Sequence, residues 1–215
     1  MNRHRIWLPL TFLLASFGVV LVLYGRMPER IPTHWNFRGE VDGWMPKPWG
    51  PLALPLVHAG TLAVLAVAPL VSPKNASMVP FARAYAILVG AISGFLFVLN
   101  LVVCLVAAGA HVNVPQFVSL ASGVLLLVIG NFMGKLSTNY FAGIRTPWTL
   151  ENEEVWHRTH RLGGKLFVLA GLLTIVSALV GAGLPVLIAT VFATTIVTTA
   201  YSYVLYKRLT SSARP

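Results

Sequence analysis

From Ala84 to Gly134 the chain runs 51 residues without an Asp, Glu, Lys or Arg. A soluble domain cannot hide so long a charge-free stretch when 56% of its residues are apolar and only 10% are charged. The chain is therefore read as an integral membrane protein. A helix needs about 20 apolar residues to cross roughly 30 Å of hydrocarbon, so 51 residues are too many for one crossing. The break falls at Gly109-Ala-His-Val-Asn-Val-Pro115 and leaves spans at about 84–108 and 117–133.

The same reasoning divides the rest. Ile6–Tyr24 is the first span, Leu52–Val71 the second, and Leu166–Tyr206 splits at Gly181-Ala-Gly-Leu-Pro185 into the fifth and sixth. Ile6–Tyr24 follows Arg3 and Arg5 as a signal sequence would, but its 19 uncharged residues exceed a usual h-region and no small-x-small cleavage site follows. It is read as a retained anchor. The expected fold is an all-α, polytopic protein of six transmembrane helices with both termini on one side. Residues 1–71 form a two-helix unit carrying an extended outer loop (26–50), and residues 72–215 a four-helix unit carrying an inner loop (134–165).

Charge orients this arrangement. With the N-terminus inside, Arg3, Arg5, Lys74, Arg83, Lys135, Arg145, Arg158, Arg161, Lys165, Lys207, Arg208 and Arg214 lie in cytoplasmic segments, against Arg26, Arg30, Arg38 and Lys47 outside. Twelve against four follows the positive-inside rule. The net charge of +10 then reflects topology and anionic lipid, because basic residues spread over four short segments do not make a nucleic-acid surface. No direct nucleic-acid partner is expected. The single cysteine, Cys104, rules out an intrachain disulfide and a Cys-based metal site within one chain.

Inside the spans, Gly90-x-x-x-Gly94 lets a helix approach span three closely, either from within the chain or from a second copy in a homo-oligomer. His58, Asn100 and Asn131 are polar groups at membrane depth and are each expected to face a partner helix. No span carries an acid, Lys or Arg, which argues against a proton or ion pump. No internal repeat supports an inverted-repeat transporter.

All six carboxylates fall in the two polar loops. In the outer loop, Ile31, Thr33, Trp35 and Phe37 alternate with His34, Asn36 and Arg38 as on a half-buried strand, and Asp42-Gly43 reads as a turn able to bring a carboxylate back to His34. One reading is a stiff connector whose Trp35, Trp44 and Trp49 anchor the interface. The sharper reading is an outward recognition site made by His34, Asn36 and Asp42. A histidine beside a carboxylate is also able to bind metal, although three donors of mixed type on one loop signal it weakly.

In the inner loop, Gly143-Ile-Arg-Thr-Pro-Trp148 is non-helical through Pro147 and too apolar for a solvated linker, so it folds back against the membrane. Arg145 suits carbonyls, lipid phosphate or glutamates, or serves as a topology anchor. Thr149 or Asn152 caps a following interfacial amphipathic helix that feeds span five, with Glu151, Glu153 and Glu154 in its first turn. Val155, Trp156, Thr159, Leu162 and Gly163 share one face, and Glu153, His157 and His160 are expected on another. The latter three have the spacing of a metal triad or an acid–base pair, set against a solvated or partner-binding face. Glu154 and Arg158 form an ordinary i, i+4 pair.

The outer phrase Ile31-Pro-Thr-His-Trp-Asn, continuing through Gly39 and Asp42-Gly43-Trp44, together with the inner phrase Gly143-Ile-Arg-Thr-Pro-Trp-Thr-Leu, Trp156, Thr159-His-Arg161 and Gly164-Lys165, resembles the SdpI family. The resemblance implies a bacterial plasma-membrane protein that protects its producer against a secreted antimicrobial peptide toxin. It also implies that some members signal, holding a cytoplasmic transcriptional repressor at the membrane, and it implies no catalytic mechanism or cofactor. The candidate ligand- or partner-contacting positions are His34, Asn36 and Asp42 outside, and Arg145, Thr146, Trp148, Trp156, His160 and Arg161 inside. His157 stands where the family pattern has a basic residue, which weighs against a shared Glu153-His157-His160 metal site. The rival class is an intramembrane enzyme acting through those three residues on lipid or peptide. A third reading is an envelope protein whose loops only fix topology.

Overall fold

A computed structural model describes residues 7–71 and 81–211. Arg3, Arg5, Lys74 and Arg214, four of the twelve basic residues assigned to one side, lie outside the described residues, as does Ile6 at the start of the first expected span. The elements run α1 (Trp7–Leu23), a single 3-10 turn (Tyr24–Arg26), β1 (Arg30–Trp35), β2 (Val41–Pro46), α2 (Gly50–Val67), α3 (Ala82–Ala107), α4 (Val114–Met133), α5 (Pro147–Glu151), α6 (Glu153–Leu179) and α7 (Gly183–Ser211). Every helix except the five-residue α5 is long and apolar enough to cross a membrane. The protein is all-α and polytopic, with one small β-hairpin added.

Local chemistry explains where the spans depart from their expected limits. α4 begins at Val114, three residues early, because Pro115 sits in the first turn, where no N–H is required, and Asn113 Oδ1 accepts from Gln116 N. The amphipathic segment after Asn152 feeds the fifth span directly. It is the first turns of α6, which runs unbroken for 27 residues into the fifth span.

Small residues set the helix packing. Gly90 and Gly94 of α3 receive Leu8 and Phe12 of α1, at 3.4 and 3.3 Å from where a Cβ would stand. This pair is thus occupied inside the chain. α4 and α6 meet more closely still: Gly130 faces Gly164 and Gly123 faces Gly171, each glycine so near that an added Cβ would lie between 2.6 and 3.0 Å from the opposing carbonyl oxygen. Without a hydrophobic drive between helices in lipid, such backbone approach is the main source of association.

His58 and Asn100, polar groups inside the bundle, are paired, as their desolvation demands. His58 of α2 reaches Ser16 of α1 at 3.2 Å through Nδ1 and Ser93 of α3 at 2.6 Å through Nε2, while Asn100 donates to the Ser16 carbonyl at 3.0 Å. Asn131 departs from expectation. It is exposed rather than turned to a partner helix, because it lies in the last turn of α4, where headgroups and water begin.

The hairpin joins α1 to α2, and its Gly39 packs against Pro115 at the start of α4. The irregular segment between α4 and α6 therefore lies at the opposite end of the bundle, one span away.

Candidate functional site

At the hairpin end, β1 and β2 pair antiparallel, with Ile31 opposite Met45, His34 opposite Gly43 and Trp35 opposite Val41. Ile31 is fully buried and anchors the strand in a cluster with Val20, Met27, Cys104 and Ala107. The alternation expected from Ile31 to Arg38 stops at Trp35, and Phe37 is exposed, because the chain turns at Asn36. The turn is not at Asp42-Gly43. Asn36 makes it: its Oδ1 accepts from Arg38 N and Glu40 N, its Nδ2 donates to Glu40 Oε2 at 2.8 Å, and Gly39 supplies the positive φ of 82°.

Asp42 and Gly43 lie in β2 instead, and the ladder delivers the expected contact. His34 Nδ1 and Asp42 Oδ1 stand 2.5 Å apart, with side chains 72% and 46% exposed. Gly43 is required opposite His34, whose Cβ lies 2.8 Å from the place a Gly43 Cβ would take. Phe37 and Trp44 of the hairpin and Trp49 just after it are exposed, with the Arg30 guanidinium over the Trp44 ring. Of the three outer candidates, His34 and Asp42 are presented as a pair, and Asn36 is consumed by the turn.

At the far end the irregular backbone is packed, so its polar groups need partners within the protein. Asn139 is buried and spends its whole amide: Oδ1 accepts from Phe141 N and Ala142 N, and Nδ2 donates to the Ser137 and Ala142 carbonyls. Gly143 follows with φ +112°, and a side chain there would collide with the His160 ring. Ile144 N then donates to His160 Nε2 at 2.9 Å, while His160 Nδ1 donates to the Trp156 carbonyl at 2.8 Å. With one nitrogen accepting and the other donating, His160 is a neutral imidazole whose two nitrogens are both taken.

Trp156, fully buried, stacks on His160 at 3.9 Å and donates from Nε1 to the Leu136 carbonyl at 2.7 Å. Thr146 and Thr149 cap α5 reciprocally, and Thr149 Oγ1 also donates to the Ile144 carbonyl. Thr146 Oγ1 touches Ser202 Oγ of α7 at 3.0 Å, and Trp148 leans on Tyr203 of the same helix with ring centroids 5.0 Å apart. The helix cap before α6 is Asn152, one of the two expected, with Thr146 rather than Thr149 at the N-cap of α5.

His160 was expected on a face with Glu153 and His157, and the structure corrects this. His160 lies with Val155, Trp156 and Thr159 on the buried side of α6, because a bulky irregular loop covers more of the helix than the apolar stripe alone would. Glu153 and His157 are exposed and 3.6 Å apart. The three are not brought together, and among the described residues no group of three His, Cys, Asp or Glu is placed to hold a metal. Among the inner candidates, Arg145 and Arg161 are exposed, and Arg145 donates to the Tyr140 carbonyl at 2.6 Å. Sequence reasoning missed Asn139 and the facing glycines of α4 and α6. The spacing of seven between Gly123 and Gly130 and between Gly164 and Gly171 was the available signal.

A bundle of six spans, with a solvent-facing hairpin at one end and an internally locked turn at the other, defines a class of multi-pass membrane protein built around two loops. Residues 11–58 match a domain of unknown function (DUF1648), and residues 135–202 match the SdpI/YfhL protein family. The chain is 28% identical over 202 residues to Immunity protein SdpI of Bacillus subtilis (strain 168), covering 92% of this chain and 93% of that one. The chain is thus similar to the SdpI family in its C-terminal part and to that immunity protein over most of its length. No solved structure matches it.

Proposed function

We propose that this chain is a plasma-membrane immunity protein that binds or neutralises a secreted, membrane-active peptide at its hairpin end. In this reading the unit 1–71 is the recognition end and faces outward, and the unit 72–215 carries the response, with both termini cytoplasmic. The observation that carries the proposal is the exposed His34–Asp42 pair, held 2.5 Å apart on a hairpin whose aromatic rim suits the water–lipid boundary where such a peptide arrives. Its relationship to an immunity protein over nearly the whole chain supports the same role. Neutralisation by binding needs no chemistry. A cytoplasmic regulator, where one is recruited, meets exposed Arg145 and Arg161 rather than buried Trp156 and His160.

The test is survival under toxin in a strain relying on this gene alone. His34→Ala and Asp42→Ala are expected to abolish protection while the protein still inserts at wild-type abundance, and unchanged survival rejects the outer site. The sidedness is checked with single-cysteine labelling at Lys47 and at Lys135 in a Cys104→Ser background. Labelling of both from the same side removes the route from an outer signal to an inner response.

A further inference from the structure

We infer that the groove between α6 and α7 at the far end binds one anionic phospholipid, its phosphate headgroup at Arg161 and Lys165 and an acyl chain above them. The inference is independent of the immunity reading. It starts from charge. Residues 154, 157, 158, 161 and 165 line one side of a 470 Å³ cavity, and Tyr201 of α7 closes the other side. Within this cluster Glu154 already holds Arg158 at 2.6 Å, and Glu153 lies 3.6 Å from His157. Arg161 and Lys165 have no carboxylate within ion-pair distance among the described residues, although all six acidic side chains are described. Arg161, Lys165 and Tyr201 thus line one space whose single acid, Glu154, is already paired with Arg158.

What lies beside that space selects the ligand. Lys165 is followed directly by Leu166, and the same helix pair continues into a second, apolar cavity of 210 Å³ lined by Leu166, Leu169 and Leu173 of α6 and by Thr194 and Val197 of α7. From Lys165 to Leu173 α6 rises about 12 Å, enough for the upper part of an acyl chain. Free phosphate would use the basic end and leave the apolar end unused, and an acidic protein would have no reason to enter the hydrocarbon. A phospholipid fills both, with its charge where basic side chains that precede the apolar part of α6 meet anionic headgroups.

The experiment is native mass spectrometry of the full-length protein in detergent with equimolar dioleoylphosphatidylglycerol and dioleoylphosphatidylcholine. The wild type is expected to retain one phosphatidylglycerol about thirtyfold over phosphatidylcholine, the size expected of two nearby cations. R161Q/K165Q is expected to lose that preference, and K207Q/R208Q, the same charge change on α7 outside the groove, to keep it. Addition of millimolar inorganic phosphate should not displace the lipid. Equal retention of the two lipids by wild type, an unchanged preference in R161Q/K165Q, equal loss in both double variants, or displacement by phosphate would each overturn the site.

Discussion

The hairpin and the far-end turn are written in similar letters, each a proline-bearing polar phrase with a histidine and tryptophans, yet the chain uses them in opposite ways. In the hairpin the β-ladder satisfies the backbone, so the His34 and Asp42 side chains are left to the surface. At the far end there is no ladder, and the packed loop recruits side chains to serve its own backbone: Asn139, Thr149 and His160 each bond main-chain groups. Which backbone lacks regular partners, and not the identity of the residues, decides whether a histidine is left at the surface or bound into the fold.

The sharpest way to break this contrast is at Gly143. An alanine there meets both a left-handed φ of +112° and the His160 ring, so Gly143→Ala is expected to cost on the order of 3 kcal/mol and to appear as loss of monodisperse protein in size-exclusion chromatography. A well-folded Gly143→Ala protein would mean that the far end tolerates rearrangement and is not a scaffold.

Smaller losses should come from the ring pair itself. His160→Phe keeps the stack on Trp156 but strands the half-buried Ile144 N–H, at a cost of about 2 kcal/mol. Trp156→Phe preserves most of the apolar contact and removes one hydrogen bond to the Leu136 carbonyl, at a cost of about 1 kcal/mol. Both are read as shifts in resistance to SDS unfolding. The reverse ranking would indicate that the indole, not the imidazole, organises the turn.

Spans were legible because membrane thickness imposes a length on apolar runs, and the same constraint made the six-helix fold readable from charge-free stretches such as 84–134. The Asp42 approach to His34 was legible as well, though by the wrong route: a turn was expected at Asp42-Gly43, whereas Asn36 bends the chain and the strand register brings the pair together. The far end was not legible. Helical periodicity placed His160 with His157 and Glu153, but periodicity records only which residues share a face, and the covering loop widened the buried face beyond the apolar stripe. Facing glycines were missed for a related reason, since glycine contributes no hydropathy signal and its value appears only once the opposing backbone is in place.

The smallest expected effect is the most discriminating. His34 and Asp42 are close but largely exposed, and water screens such pairs, so a double-mutant cycle of His34→Ala and Asp42→Ala should give a coupling below about 0.5 kcal/mol in unfolding. The survival assay, by contrast, should respond to either substitution in full. His160 predicts the mirror image, with stability lost first and protection lost only in proportion to the folded protein remaining. Unfolding measurements and survival at matched abundance on the same variants separate the two patterns. If Asp42→Ala instead weakened the fold by more than about 1 kcal/mol, the pair would be holding the hairpin together as Asn36 does, and the two ends of the molecule would differ in geometry alone.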